Sequence, residues 1–160
     1  MTRARQAAVP ESVRSALERL LGPDVARVRV IEHSWFARLH GGAVATTRPG
    51  RIYLRGAAAH FFANPWLMLH EYCHVIRQWQ PGELTAARYL LECLRRGYWN
   101  NRFEVEARAF ADANLAHLHA LLARAPPPAA SGPSAEQRLA PVEPSGEGDE
   151  QRAEDERRGD

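Results

Sequence analysis

Apolar and polar residues alternate with two different periods along this chain, and the switches between them divide it into elements. From Glu11 to Leu21, Val13, Ala16, Leu17, Leu20 and Leu21 recur at helical spacing, and Gly22-Pro23 supplies a stop. Val25 to Ile31 (VARVRVI) alternates apolar and Arg after its first two residues, which predicts a half-buried strand. Ser34 to Leu39 is a short helix or a loop, broken by Gly41-Gly42. Ala43–Thr47 and Arg51–Arg55 flank the turn signal Arg48-Pro49-Gly50 and predict a hairpin. Arg51, Tyr53 and Arg55 then share one face of its second limb.

Helical periodicity returns at Pro65–Trp79, with Asn64 as N-cap, Pro65 at the first position and Pro81-Gly82 as the stop. Glu83 to Arg96 is amphipathic through Ala87, Leu90, Leu91 and Leu94, a packing face closed by Gly97. After GYWNN a long helix runs from Arg102 to about Ala123. Helices in the majority, with a small antiparallel sheet ahead of the central helix, make the expected class α+β.

Composition then bounds the chain. Beyond Ala123 it turns to proline, small residues and dense charge (APPPAASGPSAEQ, then EPSGEGDEQRAEDERRGD), which cannot bury enough apolar surface to offset ordering entropy. The expected organisation is a folded domain over 1–124 and a disordered tail over 125–160. From Ala125 onward nine acidic residues face four basic ones, a net of −5 within a whole-chain charge of +2. The basic residues of the first 124 are scattered arginines, so nucleic acid is not the expected partner. No apolar run approaches the length of a membrane span, and Met1–Pro10 lacks the apolar middle of a secretory signal, so a cytoplasmic location is expected. The two cysteines, Cys73 and Cys93, read as buried free thiols rather than a disulfide framework.

The chemistry lies in the central helix, PWLMLHEYCHVIRQW. Leu69, Tyr72, Cys73, Val75, Ile76 and Trp79 cover one broad side, and His70, Glu71, His74, Arg77 and Gln78 share the remaining arc. A narrow polar stripe on a mostly apolar rod points to a buried site. At about 100° per residue, His70 and His74 project almost the same way and Glu71 lies about 60° beyond His74. Two neutral imidazoles one turn apart can hold Zn²⁺, with the carboxylate beside them as a proton acceptor.

Such a zinc needs a third protein ligand. In the last helix (NRFEVEARAF), Glu104 lies inside the apolar arc, in line with Ala111, Leu115 and Leu122, whereas Glu106 falls outside it, next to Phe110. A buried ionised carboxylate must be bound or paired, so Glu104 is the expected third ligand. The alternative is an ion pair between Glu104 and an arginine such as Arg77.

HEYCH followed by NRFEVEA resembles the zinc metallopeptidases whose third ligand is a Glu on a helix after the motif helix, the gluzincin-like arrangement. It is similar in particular to small bacterial metallopeptidases of the H-E-x-x-H class with no assigned substrate. The resemblance spans Arg51 to Phe110 at most and implies a minimal zincin-like fold. It implies His70, His74 and Glu104 as ligands and Glu71 as the general base of peptide-bond hydrolysis, with a peptide or protein as substrate. It departs at Arg108, where some such families carry an acid. Tyr53, His60 and Tyr98 are the candidates for stabilising the oxyanion. The competing expectations are a catalytically silent, zinc-bearing interaction module and a DNA-associated peptidase.

Overall fold

The computed structural model describes residues 3–38 and 44–124, all within the compact unit Met1–Pro127. The tail expected over 125–160 and the glycine pair at 41–42 lie outside the described residues. The fold is mixed α+β, mostly helical, with one small sheet.

Helix α1 (Glu11–Leu21) ends where the sequence predicts, at Gly22, whose φ of 93° only glycine adopts without strain. The strand expected from Val25 begins later. Pro23 and Asp24 open a 3₁₀ turn, Pro23–Arg27, and only Arg29–Glu32 is extended, paired in the sheet. The fixed φ of proline and the preceding left-handed glycine favour a tight turn there over extended chain. A strand that periodicity does not reveal, β1 (Arg5–Ala7), pairs antiparallel with β2 (Arg29–Glu32).

The expected hairpin forms as β3 (Ala45–Arg48) and β4 (Arg51–Leu54), antiparallel with Arg48 opposite Arg51. The sheet is not purely antiparallel, however. β4 pairs parallel with β2, giving the order β1-β2-β4-β3. Between them the chain crosses over through α2 (Trp35–Arg38) and β3. β3 therefore stands at the sheet margin, bonded on one side only among the described residues.

Glu32, at the end of β2, accepts the N–H of Ala58 at 2.8 Å and pairs with Arg5. That carboxylate ties β1 and the start of α3 (Ala58–Phe62) to the sheet. The next helix, α4 (Pro65–Cys73), is capped by the Asn64 side chain, which accepts from the N–H of Leu67 at 3.0 Å. From His74 to Trp79 the same rod continues with π winding, seen where the N–H of Gln80 reaches the carbonyl of Val75. The two histidines stay at α spacing, because the N–H of His74 still meets the carbonyl of His70. The residues after them are shifted from an α-helical wheel.

α4 lies between the sheet and the long helix α6 (Arg102–Ala123), while α1 packs on α6 from the other end. Leu17, Val30, Ile52, Met68, Leu69, Tyr72, Val75 and Leu118 are wholly buried in one continuous core. Each such aliphatic side chain contributes about 1.5–3 kcal/mol by leaving water, which anchors the rod that carries the histidines. Helix α5 (Ala86–Arg96) is different. None of its residues is fully buried, and Leu90, Leu91 and Leu94 face solvent instead of forming the expected packing face. Tyr98 and Trp99 are exposed too. Among the described residues no helix is long and apolar enough to cross a membrane.

Candidate metal centre

Four of the five residues of the polar stripe are buried: His70, Glu71 and His74 are each less than a tenth exposed and Gln78 is fully buried, while Arg77 is exposed. α6 delivers Glu104 to the same point. Its N-cap, Asn101, is fully buried and accepts from the N–H of Phe103 at 3.0 Å. The Asn101 amide also donates to the Tyr89 carbonyl and the Cys93 sulfur, which locks α5 to the start of α6. Glu104 then sits in the first turn of α6 with its carboxylate beside the histidines of α4 and its continuation.

The Nε2 atoms of His70 and His74 stand 3.1 Å apart, and Glu104 lies 3.3 Å from the first and 3.6 Å from the second. One ligand atom from each of the three residues falls within 4.8 Å of the others. Gln78 decides which nitrogen of His74 is free. Its amide donates to the Phe103 carbonyl at 3.0 Å and to Glu106 at 3.1 Å, so its oxygen must accept, and His74 Nδ1 lies 2.7 Å from it. Nδ1 therefore carries the proton and Nε2 presents a lone pair. A second imidazole and a carboxylate confront that lone pair.

Three acceptor groups converging out of water repel one another unless a cation or a proton lies among them. Glu104 Oε2 is buried without a hydrogen-bond partner among the described residues, as is His70 Nδ1. Two imidazoles and one carboxylate are a donor set that can hold a metal ion. The residues present fit the ion.

Electrostatics sharpen the picture. Burial would raise the Glu104 carboxyl, but His70, His74 and the Tyr89 hydroxyl, which donates at 2.7 Å, hold it at about 2. Burial pushes His74 below its ordinary value, favouring the neutral ring a metal needs. Glu71 is driven by desolvation up to about 7, against the pull of His70 and with a push from Glu104. The Cys73 thiol is raised to about 12 by burial and is inert, as expected.

Around these groups opens a cleft of about 680 Å³. β3 forms one wall, Leu84 to Leu90 another, and Tyr98 stands at the side. Trp79 at the end of the π run donates to Thr47 of β3 at 3.1 Å and joins the two walls. Of the three residues weighed for the oxyanion, only Tyr98 lines this cleft. Tyr53 packs edge-on against Phe36 with centroids 5.0 Å apart, and His60 lies exposed in a separate cavity. Arg77 pairs with Glu106 at 3.6 Å rather than with Glu104, and the closest arginine to Glu104 is Arg108 at 4.0 Å.

Tyr89 and Trp66 carry no signal in the sequence that marks them for the site, and Gln78 stands there only as a member of the polar stripe. Gln78 lies four residues after His74, and its full burial is the signal a polar stripe alone does not carry. Trp66 stacks on His70, centroids 5.2 Å apart, and donates to Asp112 at 2.7 Å, holding the ring flat against α4. Tyr89 looks like any aromatic of an amphipathic helix until the start of α6 brings Glu104 to its hydroxyl.

Compared with known families, the chain matches the model of the eCIS core domain, the extracellular contractile injection system core, over residues 8–82. That stretch contains His70, Glu71, His74 and Gln78 and stops before Tyr89 and Glu104. No curated protein and no solved structure matches the chain.

Proposed function

We propose that this chain is a zinc-dependent metallopeptidase with His70, His74 and Glu104 as ligands and Glu71 as general base, on a minimal zincin-like fold. One observation carries the reading: two imidazole nitrogens and a buried carboxylate meet within 4.8 Å, with a second carboxyl group, Glu71, in the same pocket. Zinc, when bound, supplies Lewis acidity to a substrate carbonyl and acidifies water. Glu71, buried in the same cleft beside His70, takes the proton of the attacking water and returns it to the leaving amine. Gln78 keeps the proton of His74 on Nδ1 and so keeps Nε2 aimed at the site. Tyr98, held protonated with its pKa raised to about 12, is the hydroxyl available to a developing oxyanion. The margin of β3, which pairs with no further strand among the described residues, runs along the cleft where an extended peptide could lie beside it.

The test combines metal analysis with turnover. The purified chain should carry one zinc, lost in His70→Ala and in Glu104→Ala and kept in Glu71→Gln. Hydrolysis of denatured casein should vanish in all three variants. Wild-type turnover by Glu71→Gln would end the mechanism.

The match to the eCIS core model favours a second reading: a zinc-bearing module that docks into a protein assembly without cleaving anything. It predicts the same zinc content and no turnover by the wild-type chain.

A further inference from the structure

Helix α5 is turned the wrong way for a packing element. Its half-buried residues, Tyr89, Glu92 and Cys93, face the domain, and its leucines face out. Leu94 is 85% exposed, Leu90 62%, and the adjoining Trp99 73%. Leu91 is exposed as well, and such a group of exposed apolar side chains on one helix face marks an interaction surface. What holds α5 in this pose is the site itself, through the Tyr89 bond to Glu104 and the Asn101 bonds to Tyr89 and Cys93. The strip is also continuous with the cleft, because Leu90 belongs to both.

We infer that the outward leucine face of α5 is a docking strip for the apolar side chains of an extended polypeptide whose reacting segment lies in the adjoining cleft. The inference rests on the hydrolase reading and adds the substrate class: unfolded, apolar-rich chains rather than short peptides. Two other occupants fit worse. A second copy seated on the leucines would leave unused the continuity of the strip with the cleft through Leu90. A bilayer is planar, whereas this surface descends from Leu94 through Leu90 to the buried Leu84 inside the cleft. A polypeptide can follow that descent.

Binding is measured apart from turnover, on the zinc-loaded full chain carrying Glu71→Gln, by fluorescence anisotropy. The probe is a labelled peptide of about 12 residues, long enough to run from the cleft along the ~16 Å of α5, with leucine at alternate positions. A twin has serine for every leucine. The leucine peptide should bind about tenfold or more tightly than the serine twin, and Leu94→Glu and Leu91→Glu should each remove about tenfold of that. Both substitutions are on exposed positions, so the fold survives them. On the catalytic side, Leu94→Glu should lower kcat/KM for denatured casein about tenfold and leave a four-residue peptide unaffected.

Unchanged leucine-peptide affinity in both variants overturns the inference. Casein turnover indifferent to Leu94→Glu does the same while leaving the hydrolase reading intact. Leucine-dependent binding without any wild-type turnover refutes hydrolysis and keeps the docking strip. Leu94-dependent sedimentation with phosphatidylserine vesicles, or a Leu94-dependent dimer, in the absence of peptide binding assigns the face to a membrane or a second copy and ends the proposal.

Discussion

Gln78 offers the sharpest test of how the metal centre is built. Replacing it by leucine keeps the volume and removes three interactions: the acceptor for His74 Nδ1 and the donations to Phe103 and Glu106. The Phe103 carbonyl belongs to α6 and Glu106 is half exposed, so neither is stranded. His74 Nδ1–H is buried and is left with no acceptor, at a cost of about 1–3 kcal/mol, plus ~1 kcal/mol for the lost bond between α4 and α6. The apo chain should therefore lose about 2–4 kcal/mol in urea unfolding. Zinc affinity should fall separately, by about 10–100-fold, because the ring is free to rotate or change tautomer.

Gln78→Glu separates the two effects. The carboxylate still accepts from Nδ1, so zinc affinity holds or rises. Facing Glu106, it costs stability at neutral pH and recovers it in acid. Competitive chelator titration reads the affinity and urea melts read the stability. If Gln78→Leu binds zinc within a factor of about two of wild type, the argument that Gln78 sets the tautomer is refuted.

Other outcomes follow from the same geometry. Tyr89→Phe deletes one donor to a buried carboxylate, so Glu104 loses orientation and zinc binding weakens by roughly 3–30-fold in the same titration. Tyr98→Phe should lower kcat by about 10–1000-fold with little change in KM, since the hydroxyl acts on charge that appears only in the transition state; an equal rise in KM would make it a substrate-binding group instead. Glu32 has its carboxyl below its ordinary 4.5 because it accepts the Ala58 N–H and pairs with Arg5. Its ionised form therefore stabilises the fold fully above pH 4.5, and that contribution is lost as pH falls through the lowered folded value. The Tm gap between wild type and Glu32→Gln should be open at neutral pH and close in acid; a gap that widens on acidification contradicts the assignment.

Much of this molecule is legible in its sequence, and the reasons are local. The span of α1, the turn at Pro49-Gly50 and the limits of α6 follow from periodicity and caps, which depend on residues a turn apart. The pairing of His70 with His74 is a property of one helix, and the burial of Glu104 is written into the phase of α6 relative to its own leucines. Nothing local records how separate elements meet. The parallel pairing of β2 with β4 and the capture of β1 depend on strands far apart in the chain. The π winding after Cys73 falls where the rod meets both β3 and α6, neighbours that no local pattern announces. The outward turn of the α5 leucines is the clearest case: periodicity shows that a helix has an apolar face, and only the packing of Tyr89 and Cys93 against α6 determines which way that face looks. Amphipathicity is a one-body property, and orientation and convergence are many-body ones.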